Sequence, residues 1–265
     1  MSHAGAMTRA VWRDRRVVWT LVRREIRSRY IGSSLGVVWS VLPPLTQLAV
    51  FTFVFSVVLE VRFGATDHPF VLYLACGLFP WLAFQEALTR SATCLVDQSV
   101  LVKRVVFPIE AFPVQLALAT LVQQLIAFGL LIGLLALFGF PPTIALLALP
   151  IFLALQCMLT IGCGWALAAC HVYFRDTAQA IGVFLPILFY LTPIIYPDRL
   201  IPEVLQPVLA LNPLAALVGV YRDLFLQGVV PWGVRELWLV VVSVAVYVGG
   251  GAIFARGRGE FADLV

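Results

Sequence analysis

The chain has 265 residues, of which 62% are hydrophobic and only 12% charged, with a formal net charge of +4. A soluble domain carries about 25% charged residues, so half that share with a mean hydropathy of +0.98 excludes an ordinary soluble protein. Apolar runs of 19 to 28 residues exclude an outer-membrane barrel, whose strands alternate over roughly 10 residues, and point to an all-α polytopic membrane protein.

The N-terminal segment 11–31 reads as an amphipathic helix at the membrane surface. Eight of the eighteen basic residues fall between Arg9 and Arg29. At helical spacing Val11, Trp12, Val18, Trp19, Val22, Ile26 and Tyr30 share one side, while Arg13, Arg16, Arg23, Arg24 and Arg27 share the other. Such a helix places rings and aliphatics inward and guanidinium groups toward phosphates and water. The N-terminus does not read as a signal peptide, because the first apolar run starts only near Gly36 and no small-residue cleavage site follows a short core.

Six spans follow, at 36–59, 70–89, 111–138, 143–170, 178–196 and 237–255, each meeting the requirement of about 20 apolar residues. They form a single membrane domain covering 1–265. Placing both termini and the second and fourth connections in the cytoplasm puts fourteen basic residues there and leaves four outside (Arg62, Arg199, Arg222 and Arg235). That asymmetry sets the orientation, since short cytoplasmic loops hold the excess of Lys and Arg.

Pro43 and Pro44 lie inside the first span, where they remove donors and crowd the preceding turn. They fit either a tolerated kink or a shaped pore wall. The connection from Val96 to Pro108 predicts a short helix over 97–107, with Asp97 as N-cap and Pro108 as stop. It presents Val100, Leu101 and Val105 beside Lys103 and Arg104, as a headgroup connector or as a docking helix for a soluble partner. Gly129 and Gly133 form a small-xxx-small face that permits close helix contact. Residues 197–232 are too long for a turn and too apolar for a water-exposed loop. They predict an outer helical hairpin over 198–230, with Asn212 as N-cap and Pro213 at the first helical position.

Several chemistries are missing. There is no G-x-x-x-x-G-K-[ST], so the chain does not bind ATP through a P-loop. No H-E-x-x-H, G-x-S-x-G or carboxylate pair occurs, and the span centres lack Asp, Glu, Lys and Arg, which argues against a hydrolase and against an ion-coupled carrier. The five cysteines contain no C-x-x-C, and His171 has no second ligand at helical spacing, so no metal site is expected. The basic residues cluster at one membrane face, which does not suggest nucleic acid. What remains is a passive conduit or a permease energised by another subunit.

The stretch from Arg24 to Ser56 contains Arg27, Arg29, Tyr30, Ser33, Leu35, Gly36, Trp39, Leu42 and Pro43-Pro44 in the spacing R-x-R/K-Y-x-x-S-x-L-G-x-x-W-x-x-L-x-P. In this it resembles ABC export permeases for lipid-linked polysaccharides, the O-antigen and teichoic-acid class of the type-2 exporters. Gly77-Leu-Phe-Pro-Trp81, Leu101 to Pro108, Asn212-Pro213 through Tyr221-Arg222, and Glu260-Phe-Ala-Asp263 extend the resemblance over nearly the whole chain.

That resemblance implies a homodimer in the bacterial inner membrane, with two copies of a cytoplasmic ABC ATPase that hold ATP and Mg2+. The chain itself would be non-catalytic and bind no cofactor. Its cargo would be an undecaprenyl-pyrophosphate-linked glycan of the O-antigen, capsule or teichoic-acid type. The N-terminal helix would be the interface helix, and Val100, Leu101, Lys103, Arg104, Val105 and Phe107 would form the coupling helix. Arg27, Arg29 and Tyr30 would meet the lipid pyrophosphate, since guanidinium groups suit phosphates. Trp39, Phe51 and Phe55 would line the channel, and Asn212, Pro213, Tyr221 and Arg222 would belong to the outer gate. The alternatives are a type-2 exporter of small lipids or drugs, and a membrane enzyme acting on lipid-linked sugars.

Overall fold

The computed structural model describes residues 7, 9, 11–28, 38–58, 68–103, 108–197 and 201–265, and within these the chain is all-helical. Among the described residues five helices are long and apolar enough to cross a membrane. The elements are α1 (Arg15–Ser28), α2 (Val38–Thr52), α3 (Phe70–Asp97), α4 (Ser99–Val102), α5 (Ala111–Leu137), α6 (Leu149–Tyr173) and α7 (Thr177–Leu191). After them come α8 (Gln206–Leu211), α9 (Pro213–Arg222), α10 (Val234–Gly257) and α11 (Phe261–Leu264).

The bundle is built around α3. Of its most apolar window 72% is buried, against 6% for the span made by α2 and the π-helical Phe53–Val58 that continues it. So α3 is the internal pillar, packed by α5, α6, α7 and α9, while α2 leans on it from one side. The run at 178–196 forms α7, only 15 residues long, before the chain turns through 192–197, so the sixth expected crossing rests on a helix shorter than about 20 residues.

The tightest contact is between α6 and α10. A Cβ built on Gly250 would lie 1.9 Å from the Gly162 carbonyl oxygen, and one on Gly162 would lie 2.5 Å from the Val246 carbonyl oxygen. Helices in a bilayer gain little hydrophobic energy by associating, so close backbone approach at small residues supplies the packing. Gly129 and Gly133 do not serve this purpose within the chain. Among the described residues no atom lies within 4 Å of a Cβ at either, because that face of α5 points away from its described neighbours.

Two hydrophobic clusters divide the molecule. The larger joins the middle of the bundle to α9. The smaller collects Met7, Val18, Leu21 and Val22 from the N-terminal segment, Leu95, Val102 and Ile109 around α4, Trp165 and Val172 from α6, and Phe254 and Phe261 from the C-terminal end. It marks one end of the bundle, called here the basic end after the arginines of α1.

There α1 buries Val18, Leu21 and Val22 against α5. Trp12 and Trp19, expected on the same inward side, are 72% and 51% exposed, with Arg15 over the Trp12 ring at 5.7 Å and Arg23 over Trp19 at 5.4 Å. The aliphatic stripe is used against protein, and the indoles form a separate outward stripe. The junction after α3 also differs from expectation. The buried Ser91, Ala92, Cys94 and Leu95 extend α3 to Asp97, whose Oδ2 accepts from Thr93 Oγ. Asp97 therefore caps nothing, Gln98 precedes α4, and α4 itself is one turn. Arg104, Val105 and Phe107 lie outside the described residues, as do Arg29 and Tyr30.

Candidate functional site: a polar cleft in an apolar bundle

An apolar bundle must satisfy every polar group internally, so the positions of its glutamines and charges locate the site. Between α2, α3 and α5 lies a cleft of about 380 Å³. On α3, Gln85, Glu86, Thr89 and Arg90 fall at i, i+1, i+4 and i+5 and so share a helical face, which forms one wall. Gln123 and Gln124 of α5 form another, and Trp39, Pro43, Pro44 and Gln47 of α2 the third. The double proline thus lies on a cleft wall. The Gln85 amide is fixed by its oxygen, which accepts from Trp81 Nε1 at 2.7 Å.

Charge enters the cleft through Glu86 and Arg90. The Arg90 guanidinium donates to Glu25 of α1 at 2.5 Å and lies 3.6 Å from Glu86 one turn earlier on its own helix. A single cation therefore ties the surface helix to the central pillar at the basic end. Trp39 is 49% exposed at the cleft edge, offering an aromatic face. Phe51 and Phe55 are placed elsewhere. Phe51 stacks on Phe189 of α7 at 5.8 Å, and Phe55 lies against Phe70 at 6.0 Å, both packed on the larger cluster. Arg27 is exposed in the last turn of α1.

Behind the cleft, Gln124 and Gln156 exchange two amide hydrogen bonds of 2.8 Å. Gln156 Nε2 also donates to the Pro80 carbonyl at 3.1 Å, and the Tyr221 hydroxyl donates to Gln156 Oε1 at 2.6 Å. This buried hub joins α3, α5, α6 and α9. Nothing in the sequence reading singled out Gln156, although a glutamine inside the apolar run at 143–170 was a usable signal.

Of the 198–230 segment, α9 packs on the far end of α3. The Asn212 side chain accepts from the Leu214 amide at 2.9 Å, with Pro213 opening α9, and donates to Thr192 Oγ at 2.9 Å. Arg222, counted in sequence as an outer-side charge of the hairpin, is buried. Its guanidinium lies 3.6 Å over the Tyr73 ring and donates to the Ile194 carbonyl at 3.0 Å. The aromatic face and the carbonyl supply what water would. Just beyond, Arg235 of α10 bridges Asp223 and Glu236.

Val100 and Lys103 are exposed at the basic end, Val100 by 71%, and Leu101 is half-buried. The carboxylates and histidine of a hypothetical enzyme do not converge. Asp97 bonds Thr93, Asp223 pairs with Arg235, and His171 is buried on α6. Among the described residues no three of His, Cys, Asp and Glu gather to hold a metal ion.

An all-helical bundle with five apolar helices of spanning length, a surface helix and a polar cleft has the architecture of a polytopic membrane protein. Residues 16–226 match the ABC-2 type transporter family, and the chain belongs to that family. It is 29% identical over 261 residues to the O-antigen export system permease protein RfbA of Myxococcus xanthus, covering 98% of this chain and 99% of the relative. A protein of the same name from Klebsiella pneumoniae is 27% identical, and the polysialic acid transport protein KpsM of Escherichia coli is 25% identical, each covering 92% of this chain and 93% of the relative.

Proposed function

We propose that this chain is the channel-forming subunit of an ATP-driven exporter that moves a polyprenyl-pyrophosphate-linked glycan across the bacterial inner membrane. The observation that carries this reading is the cleft: glutamine amides, a threonine hydroxyl and an indole edge converge inside an otherwise apolar bundle. Sugars present dense hydroxyls with apolar ring faces, so amides and an aromatic surface suit them. The names of the relatives, O-antigen export permease and polysialic acid transport protein, support the same substrate class.

Energy comes from a separate ABC ATPase holding ATP and Mg2+. Two such subunits engage a homodimer of this chain at α4, through Val100, Leu101 and Lys103 and the adjoining Arg104, Val105 and Phe107. The exposed apolar faces of α2 and α7, including Val50, Val183, Phe184 and Ile187, are where a second copy seats. Six crossings, counting α7, place both termini in the cytoplasm, as the fourteen-to-four distribution of basic residues requires. Arg27, Arg29 and Tyr30 then stand at the cytoplasmic entrance for the pyrophosphate, and the 198–230 hairpin with Asn212, Pro213, Tyr221 and Arg222 forms the exit gate.

Trp39→Ala together with Gln123→Ala tests the cleft. Both side chains line it, so the pair is expected to lower surface glycan about 10-fold, a change of about 1.4 kcal/mol, at unchanged protein level. Surface glycan at the parental amount would remove the cleft from the path.

A further inference from the structure

The charged and the neutral polar groups of the cleft are placed differently. Among its described lining residues only Glu86 and Arg90 are ionisable. The Arg90 guanidinium is held by Glu25 of α1 and lies beside Glu86 of its own helix, so the cation at the wall is committed to two carboxylates. The α2 and α5 walls add no charge, since Val38–Thr52 and Ala111–Leu137 contain no Asp, Glu, Lys, Arg or His. Arg23, Arg24 and Arg27 of α1 are exposed and do not line the space.

Two amides, by contrast, are available. Gln85 and Gln124 are fixed by Trp81 and Gln156. Gln47 of α2 and Gln123 of α5 are half-buried on two different walls, and neither side chain makes a hydrogen bond among the described residues. An amide offers a donor and an acceptor side by side, as a sugar hydroxyl does, so the two match without any transfer of charge. A carboxylate or phosphate on a sugar only accepts, and a guanidinium or ammonium group suits it best. Here such a group would meet no cation in surplus. It would lose water on entering an apolar bundle and gain no counter-charge in return. The volume of about 380 Å³ suits a small ligand, and the half-exposed Trp39 adds a ring face at the edge.

We propose that the cleft admits uncharged sugar units, that Gln47 and Gln123 bind their hydroxyls, and that the cargo is therefore a neutral glycan. This rests on the reading that the cleft lies on the glycan path. It goes beyond it by setting the charge of the repeat unit and by bringing in Gln47. The pyrophosphate end of the cargo is left to the exposed arginines of α1.

The chain's own cargo supplies the test. The glycan that disappears from the cell surface when the chain is deleted is purified, and its repeat unit is analysed for uronic acid, sialic acid and phosphate. None of the three is expected. In parallel, Gln47→Glu, Gln47→Lys, Gln123→Glu and Gln123→Lys are compared at equal protein level in the membrane. Each is expected to lower surface glycan about 5-fold, the worth of one hydrogen bond, with acid and base alike in effect because a neutral cargo does not sense the sign. An anionic repeat, or lysine variants that export well where the glutamate variants fail, overturns the proposal and leaves the glycan reading intact. A neutral repeat with all four variants at the parental amount overturns the role of the two glutamines. If deletion of the chain removes no glycan from the surface, the glycan reading fails and this inference fails with it.

Discussion

Gly250→Val is expected to destabilise the folded chain by on the order of 3 kcal/mol or more, the upper end of what overpacking costs. A Cβ at that position falls 1.9 Å from a backbone carbonyl oxygen of α6, and no side-chain rotation relieves a clash with backbone. The two helices must separate, which forfeits the dispersion contacts along the whole crossing. Gly129→Val is the matched control, because nothing lies within 4 Å of its Cβ. Thermal midpoints from fluorescence-detected size exclusion should drop sharply for the first and little for the second. Equal midpoints would mean that the α6–α10 contact does not hold the bundle together.

The second large effect concerns the buried hub. Gln156→Leu leaves the Tyr221 hydroxyl and both the nitrogen and the oxygen of the Gln124 amide without their partner. Each unsatisfied group costs about 1–3 kcal/mol in a protein interior, though bonds between membrane helices average nearer 0.6 kcal/mol, so a loss of about 2 kcal/mol is expected. The double change Gln124→Leu with Gln156→Leu should cost less than the sum of the single changes, because the orphaned amide goes too. Strict additivity in the cycle would show that the two amides do not act as a unit. The hub also ties α9 to the helices that line the cleft, so Gln156→Leu should reduce export even where enough folded protein remains.

The broad architecture was legible because composition and run length act on the whole chain. No arrangement of residues that is 62% hydrophobic and 12% charged makes a soluble domain, and runs of this length fold as helices. Asn212-Pro213 was legible for a local reason: the Asx side chain and the preset φ of proline act within one turn. Pairings across the fold were not. Gly129-x-x-x-Gly133 matches the close-packing pattern yet faces open space, while Gly162 and Gly250, 88 positions apart, make the contact. Glycine spacing on one helix carries no information about which helix lies opposite.

Charge pairing was hidden in the same way. Arg222 counted only as an outer-side charge of the helical hairpin, because its aromatic and carbonyl partners, Tyr73 and Ile194, come from distant segments. Glu25 and Arg90 gave no sign of pairing across 65 positions. Trp39 reached the cleft, whereas Phe51 and Phe55 went into helix packing. Aromatic composition alone does not separate those uses.

Transport itself is the most direct test. In cells lacking this chain, polyprenyl-linked glycan should accumulate on the cytoplasmic side, and the parent chain with an active ATPase should move it to the outer side. The parent chain with an ATPase unable to hydrolyse ATP should leave it inside. Glycan crossing at the same rate without this chain, or crossing with it while hydrolysis is blocked, would contradict the proposed role as the membrane subunit of an ATP-driven glycan exporter.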